Sequence, residues 1–68
     1  MTNFPQFSLE VERSMVSALE LLCNSYNLIE DADLFEKVAL KIIELARAEV
    51  TDRDEIYIRV VNDLKLDG

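Results

Sequence analysis

Asp52-Arg53-Asp54-Glu55-Ile56-Tyr57-Ile58-Arg59-Val60-Val61-Asn62-Asp63-Leu64-Lys65-Leu66 is the stretch whose reading decides the fold. Its centre, Ile56 to Val61, is rich in the β-branched residues that suit a strand. On a strand, Tyr57 and Arg59 would share a face with Val61, which mixes a charge into an apolar surface. On a helix, Ile56, Val60, Leu64, Tyr57 and Val61 fill one arc of about 140°, with Asn62, Arg59 and Asp63 opposite. Helix signals agree: Thr51 as a cap, Asp52, Asp54 and Glu55 in the first turn, a Glu55 to Arg59 pair at i,i+4, and Lys65 near the end. The spacing predicts a helix over 52–66.

Two further segments show the same periodicity. Behind the cap candidate Ser8, a helix over 9–26 gathers Ala18, Val11, Leu22, Met15, Tyr26, Leu19, Cys23, Val16 and Leu9 on one half of its wheel. Glu12 projects from that apolar side near the start, and Leu21 sits alone in the polar half. Asn24, Ser25 and Asn27 make a plausible stop, because Asn tolerates the left-handed conformation where glycine is missing. The second helix, 34–50, begins at Asp33, which with Glu36 has the spacing of a capping box. Leu34, Leu45, Val38, Ile42, Phe35, Ala46, Ala39, Val50 and Ile43 share its apolar arc, and Leu40 points into the polar one. Residues 27–32 join the first two helices; the second and third meet at Thr51. One all-α domain over 1–68 follows, a small three-helix bundle or a helical hairpin crossed by a third helix, with residues 1–7 as an N-terminal arm.

Size makes this fold marginal. Area scaling for the 68-residue chain buries about 6,900 Å². With about 60% of it apolar, burial contributes about 100 kcal/mol, which ordering the chain at about 1.5 kcal/mol per residue offsets. Three apolar arcs near half a circumference also offer more surface than three short helices hide from each other. A homodimer, another protein as partner, or both is the expected consequence.

Composition excludes several function classes. The chain has no His, no Trp, one Cys, one Pro and one Gly, the last residue Gly68. No imidazole base, Ser/His or Cys/His dyad, thiolate metal cage or internal glycine-rich phosphate loop can be built from it. Neither an enzyme nor a cofactor or small-molecule site is expected. Seven basic against fourteen acidic residues give a net charge of −7, which repels nucleic acid and anionic membranes. A helix-turn-helix made from the second and third helices would present an acidic recognition face, so direct base readout is not expected either. With no apolar span, no secretory signal and a single Cys, a cytoplasmic location is the expectation.

The acids sort by position. Glu10, Glu12, Asp31, Asp33, Glu36, Asp52, Asp54 and Glu55 lie at or within about a turn of a predicted helix start, where the macrodipole favours them. The cluster Glu30, Asp31, Asp33 and Glu36 is the candidate acidic surface. Asp31-x-Asp33 is also how a calcium loop begins, but no Gly follows for its turn and Ile42 stands at its twelfth position. Helix-start electrostatics accounts for these residues without a metal.

Candidate partner contacts are Leu21 and Leu40, the apolar residues on otherwise polar faces, together with Ile58, Phe4 and Phe7. Phe4-Pro5-Gln6-Phe7 either folds back over the bundle end or extends as an arm to a neighbour. Cys23, between Leu19 and Tyr26 on the apolar arc, reads as a small buried hydrophobe. The functional expectation is a non-enzymatic interaction module, a small regulatory or adaptor protein working as a homodimer. The alternative is a small acidic inhibitor, of the kind found in phages and mobile elements, that occupies a basic nucleic-acid-binding surface of its target.

Overall fold

The computed structural model describes residues 7–66. Three helices, α1 (Leu9–Tyr26), α2 (Ala32–Arg47) and α3 (Arg53–Leu64), form a three-helix bundle, with a short 3₁₀ turn over Leu28–Glu30 between α1 and α2. The described residues contain no strand. The β-branched run Ile56 to Val61 is helical because that geometry sinks Ile56, Val60 and Val61 together into the core. Burying three aliphatic side chains on one face outweighs a local strand preference of under about 1 kcal/mol per residue.

Each helix contributes a short stripe to the core: Ala18 and Leu22 from α1, Val38, Ile42 and Leu45 from α2, Ile56, Val60 and Val61 from α3. Leu28 of the 3₁₀ turn is wholly buried among them. Periodicity does not find Leu28, because it lies in a connection where no helical arc can be drawn. Met15, Leu19, Cys23, Tyr26 and Tyr57 pack around this centre. The apolar arc assigned to α1 is too wide. Leu9 and Val16 lie at its far edge, about 120–180° from Ala18 and Leu22 on the wheel, and are 62% and 55% exposed.

Capping departs from the sequence reading twice. Asp31, not Asp33, caps α2, its Oδ1 accepting from the Leu34 backbone N–H at 3.1 Å. The 3₁₀ turn delivers the chain to helical geometry one residue after Asp31, and Ala32, the best helix former, continues it. Asp33 then falls in the first turn, and the Asp33 to Glu36 capping box does not form. At α3 the cap is Asp52 rather than Thr51, accepting from Glu55 N–H at 3.1 Å, in line with the stronger capping preference of Asp. Ser8 caps α1 as expected, accepting from Val11 N–H at 3.3 Å.

The helix ends show how the chain turns without internal glycine. Asn27, Glu49 and Lys65 all take the left-handed conformation, with φ of 55°, 67° and 55°. After α2, Val50 N–H bonds Leu45 C=O at 2.9 Å and Glu49 N–H bonds Ala46 C=O at 3.0 Å, the paired bonds of a Schellman stop. Leu66 to Val61 at 3.0 Å and Lys65 to Asn62 at 3.4 Å repeat the motif after α3. In both, the residue just past the left-handed position, Val50 or Leu66, packs against the core. This stop ends α2 at Arg47 instead of Val50, so Ala48 to Asp52 link α2 to α3.

A charged tie links α2 and α3. Lys41 Nζ of α2 lies 3.3 Å from Asp63 Oδ2 of α3 and 3.3 Å from Glu44 Oε1. These carboxylates, Asp63 before Glu44, raise the Lys41 pKa above its ordinary 10.5.

Two outcomes follow. A left-handed non-glycine residue costs about 1–2 kcal/mol, so Glu49→Gly should stabilise the bundle by roughly 1 kcal/mol. That is a rise of about 4–8 °C in Tm for a domain of this size; an unchanged or lower Tm contradicts it. The folded pKa of Lys41 lies above its unfolded value, so the tie contributes fully below the unfolded pKa and is lost as pH rises through the folded one. Lys41→Met keeps the stem and removes the charge. Its Tm should lie below wild type at neutral pH and converge with it beyond the raised pKa; a gap that persists at alkaline pH would mean the tie is not electrostatic.

Candidate docking surface

α1 and α3 pack side by side, and Tyr57 OH donates to Ser25 Oγ at 3.3 Å across their seam. The packing of Ala18 and Leu22 with Ile56, Val60 and Val61 in one core brings Ile58 of α3 beside Leu21 of α1. Leu21, Asp54, Tyr57 and Ile58 line a shallow depression of about 380 Å³. Leu21 is 38% exposed and Ile58 52% exposed. Two residues 37 positions apart thus form one apolar surface together with a tyrosine.

The surface continues around Ile58 and Asp54 into a second, larger depression of about 610 Å³ below the α2–α3 link. Glu49, Asp52, Asp54 and Glu55 stand on its rim with Arg59. Arg53 Nε pairs with Asp54 Oδ1 at 3.2 Å and Arg59 Nη2 with Glu55 Oε1 at 3.7 Å. Both pairs are exposed and add little stability, but they leave Glu49 and Asp52 as the acids of the rim without an ion pair among the described residues.

The other sequence candidates are placed elsewhere. Leu40 is 60% exposed on α2 and lines neither depression. Phe7 is half-buried just before the α1 cap, and Phe4 lies outside the described residues. Cys23 is half-buried against the core, as a small hydrophobe would be. Of the cluster Glu30, Asp31, Asp33 and Glu36, Asp31 is a helix cap and Glu30 Oε2 accepts from Asn27 Nδ2 at 3.3 Å. Asp33 and Glu36 are exposed on α2. Among the described residues, no group of three or more His, Cys, Asp or Glu is placed to hold a metal ion, and no helix is long and apolar enough to cross a membrane.

Sequence reasoning placed Tyr57 on the core arc, and Tyr57 packs against the core while also lining the depression; the acidic rim at the start of α3 it read only as helix-start acids. Tyr57 lies within its arc, about 100° around the helix from Ile58, and its side chain is half-buried. No family model, no curated protein and no solved structure matches the chain.

Proposed function

We propose that this chain is a non-enzymatic protein–protein interaction module, a small regulatory or adaptor protein that works as a homodimer and grips another protein across the α1–α3 face. The observation that carries this reading is the meeting of Leu21, Tyr57 and Ile58 in one exposed apolar depression. A tyrosine flanked by two aliphatic side chains, bordered by charge, is the composition of an interaction hot spot with its polar rim. The residue inventory supports a non-catalytic role, since the sequence holds no His and one Cys. A cytoplasmic setting belongs to the same proposal, supported by the unpaired Cys23.

A second reading draws on the acidic rim. An inhibitor that covers a basic nucleic-acid-binding surface would use Glu49, Asp52, Asp54 and Glu55 around Ile58 rather than the Glu30 to Glu36 cluster, where Asp31 and Glu30 are engaged in local bonds.

Quantitative capture from extracts of the source cells tests both. Leu21→Glu and Ile58→Glu should each release a protein that the wild type retains, with Tm unchanged, whereas Leu40→Glu should retain it. An identical set of bound proteins for all four chains sinks the α1–α3 assignment. Retention that falls steeply with added salt, and with Glu49→Gln and Asp52→Asn, selects the acidic inhibitor; salt-insensitive retention selects the adaptor.

A further inference from the structure

We infer that the second copy of this chain docks on the outer face of α1, with the two α1 helices side by side and parallel about a two-fold axis. The inference rests on the homodimer reading above and gives it an interface. Leu9, Glu12, Arg13, Val16 and Ser17 line a shallow depression of about 420 Å³ on that face. Leu9 and Val16 are two turns apart on one line of the helix, about 10 Å along its axis, and both are more than half exposed. Glu12 and Arg13 flank that line on opposite sides, each about 50° away, at nearly the same height. Neither side chain makes an ion pair or hydrogen bond among the described residues. On α1 the two positions diverge by about 100° around the axis, and they do not pair with each other.

This arrangement is self-complementary in one orientation. A two-fold axis parallel to α1 sets Leu9 against Leu9 and Val16 against Val16 of the second copy. It also carries Glu12 to the side where the second copy presents Arg13, so two identical ion pairs close over the apolar line. An antiparallel two-fold centred between the same residues instead sets Glu12 against Glu12 and Arg13 against Arg13, which repel. Charge complementarity therefore selects the parallel pair. The α1–α3 face is a poor alternative for a second copy, because an isologous contact there opposes two rims of Glu49, Asp52, Asp54 and Glu55. Glu20, one turn beyond Val16 on nearly the same line, meets its own copy in the parallel pair and limits the contact to the first turns of α1. So few residues bury less than the roughly 1,200 Å² of a standard interface, which makes the dimer weak and concentration-dependent.

Sedimentation equilibrium from about ten micromolar to about one millimolar, with helicity checked by circular dichroism, tests the interface. Wild type should move from the 7.8 kDa monomer toward twice that mass. Arg13→Glu and Glu12→Arg, both on exposed positions, should each raise the dimer dissociation constant at least tenfold. The double reversal, Glu12→Arg with Arg13→Glu, should restore it, and Glu20→Leu should tighten the dimer. A dimer indifferent to the single reversals, or one not restored by the double reversal, overturns the α1 interface while leaving self-association standing. A wild type that stays monomeric at the highest concentration overturns both, whether residues 1–6 of the same chain or a different protein covers the face.

Discussion

Three short helices here share one set of aliphatic side chains, and no element has a core of its own. Leu22, Leu28, Val38, Ile56 and Val60 are wholly buried, and they come from α1, the 3₁₀ turn, α2 and α3. Removing any one helix exposes the others. At 68 residues the favourable and unfavourable contributions to folding nearly cancel, so the connection cannot be spared either: Leu28 must fill what the helices leave open.

That constraint also determines which apolar residues remain outside. A bundle with so narrow a centre uses two or three positions per helix. Leu22 and Ala18 take the available place on α1, which leaves Leu9 and Val16 turned away, while the α1–α3 seam leaves Leu21 and Ile58 at its mouth. The two exposed regions differ in chemistry. The seam is aromatic and edged by acids; the outer face of α1 carries one acid and one base astride its apolar line. One suits a different chain with its own charge pattern, the other an identical chain. A molecule of this size can present two separate surfaces because α1 contributes to both, Leu21 at its seam with α3 and Leu9 and Val16 on its outer face.

How far the fold was legible from sequence depended on whether the signal was periodic. Ile56, Val60 and Val61 were recognised as a buried face although their residue types favour a strand, because burial follows spacing more than propensity. Ser8 was recognised as a cap since an apolar-periodic run begins directly after it. The caps at Asp31 and Asp52 were misplaced by two residues and one, because several capping residues compete there and a 3₁₀ turn, invisible to periodicity, decides the first case. The surface at Leu21 and Ile58 was half legible. Both residues stood out, yet their adjacency comes from the crossing of α1 and α3, and no pattern within either helix encodes it. Leu40 stands out by the same criterion and is exposed on α2 without lining either depression at the α1–α3 face.

The left-handed helix ends bear on how this chain unfolds. Glycine at such a position makes a helix stop by local preference, and the stop survives when the surrounding structure loosens. Glu49 and Lys65 have no such preference; their backbones stay left-handed because Val50 and Leu66 are drawn into the core, where the Val50 and Leu66 N–H groups donate to the Leu45 and Val61 carbonyls. The boundaries of α2 and α3 are therefore tertiary features. When the core opens, the stops open with it, so helix ends that in other proteins fray early belong here to the same cooperative unit as Leu22 and Val60.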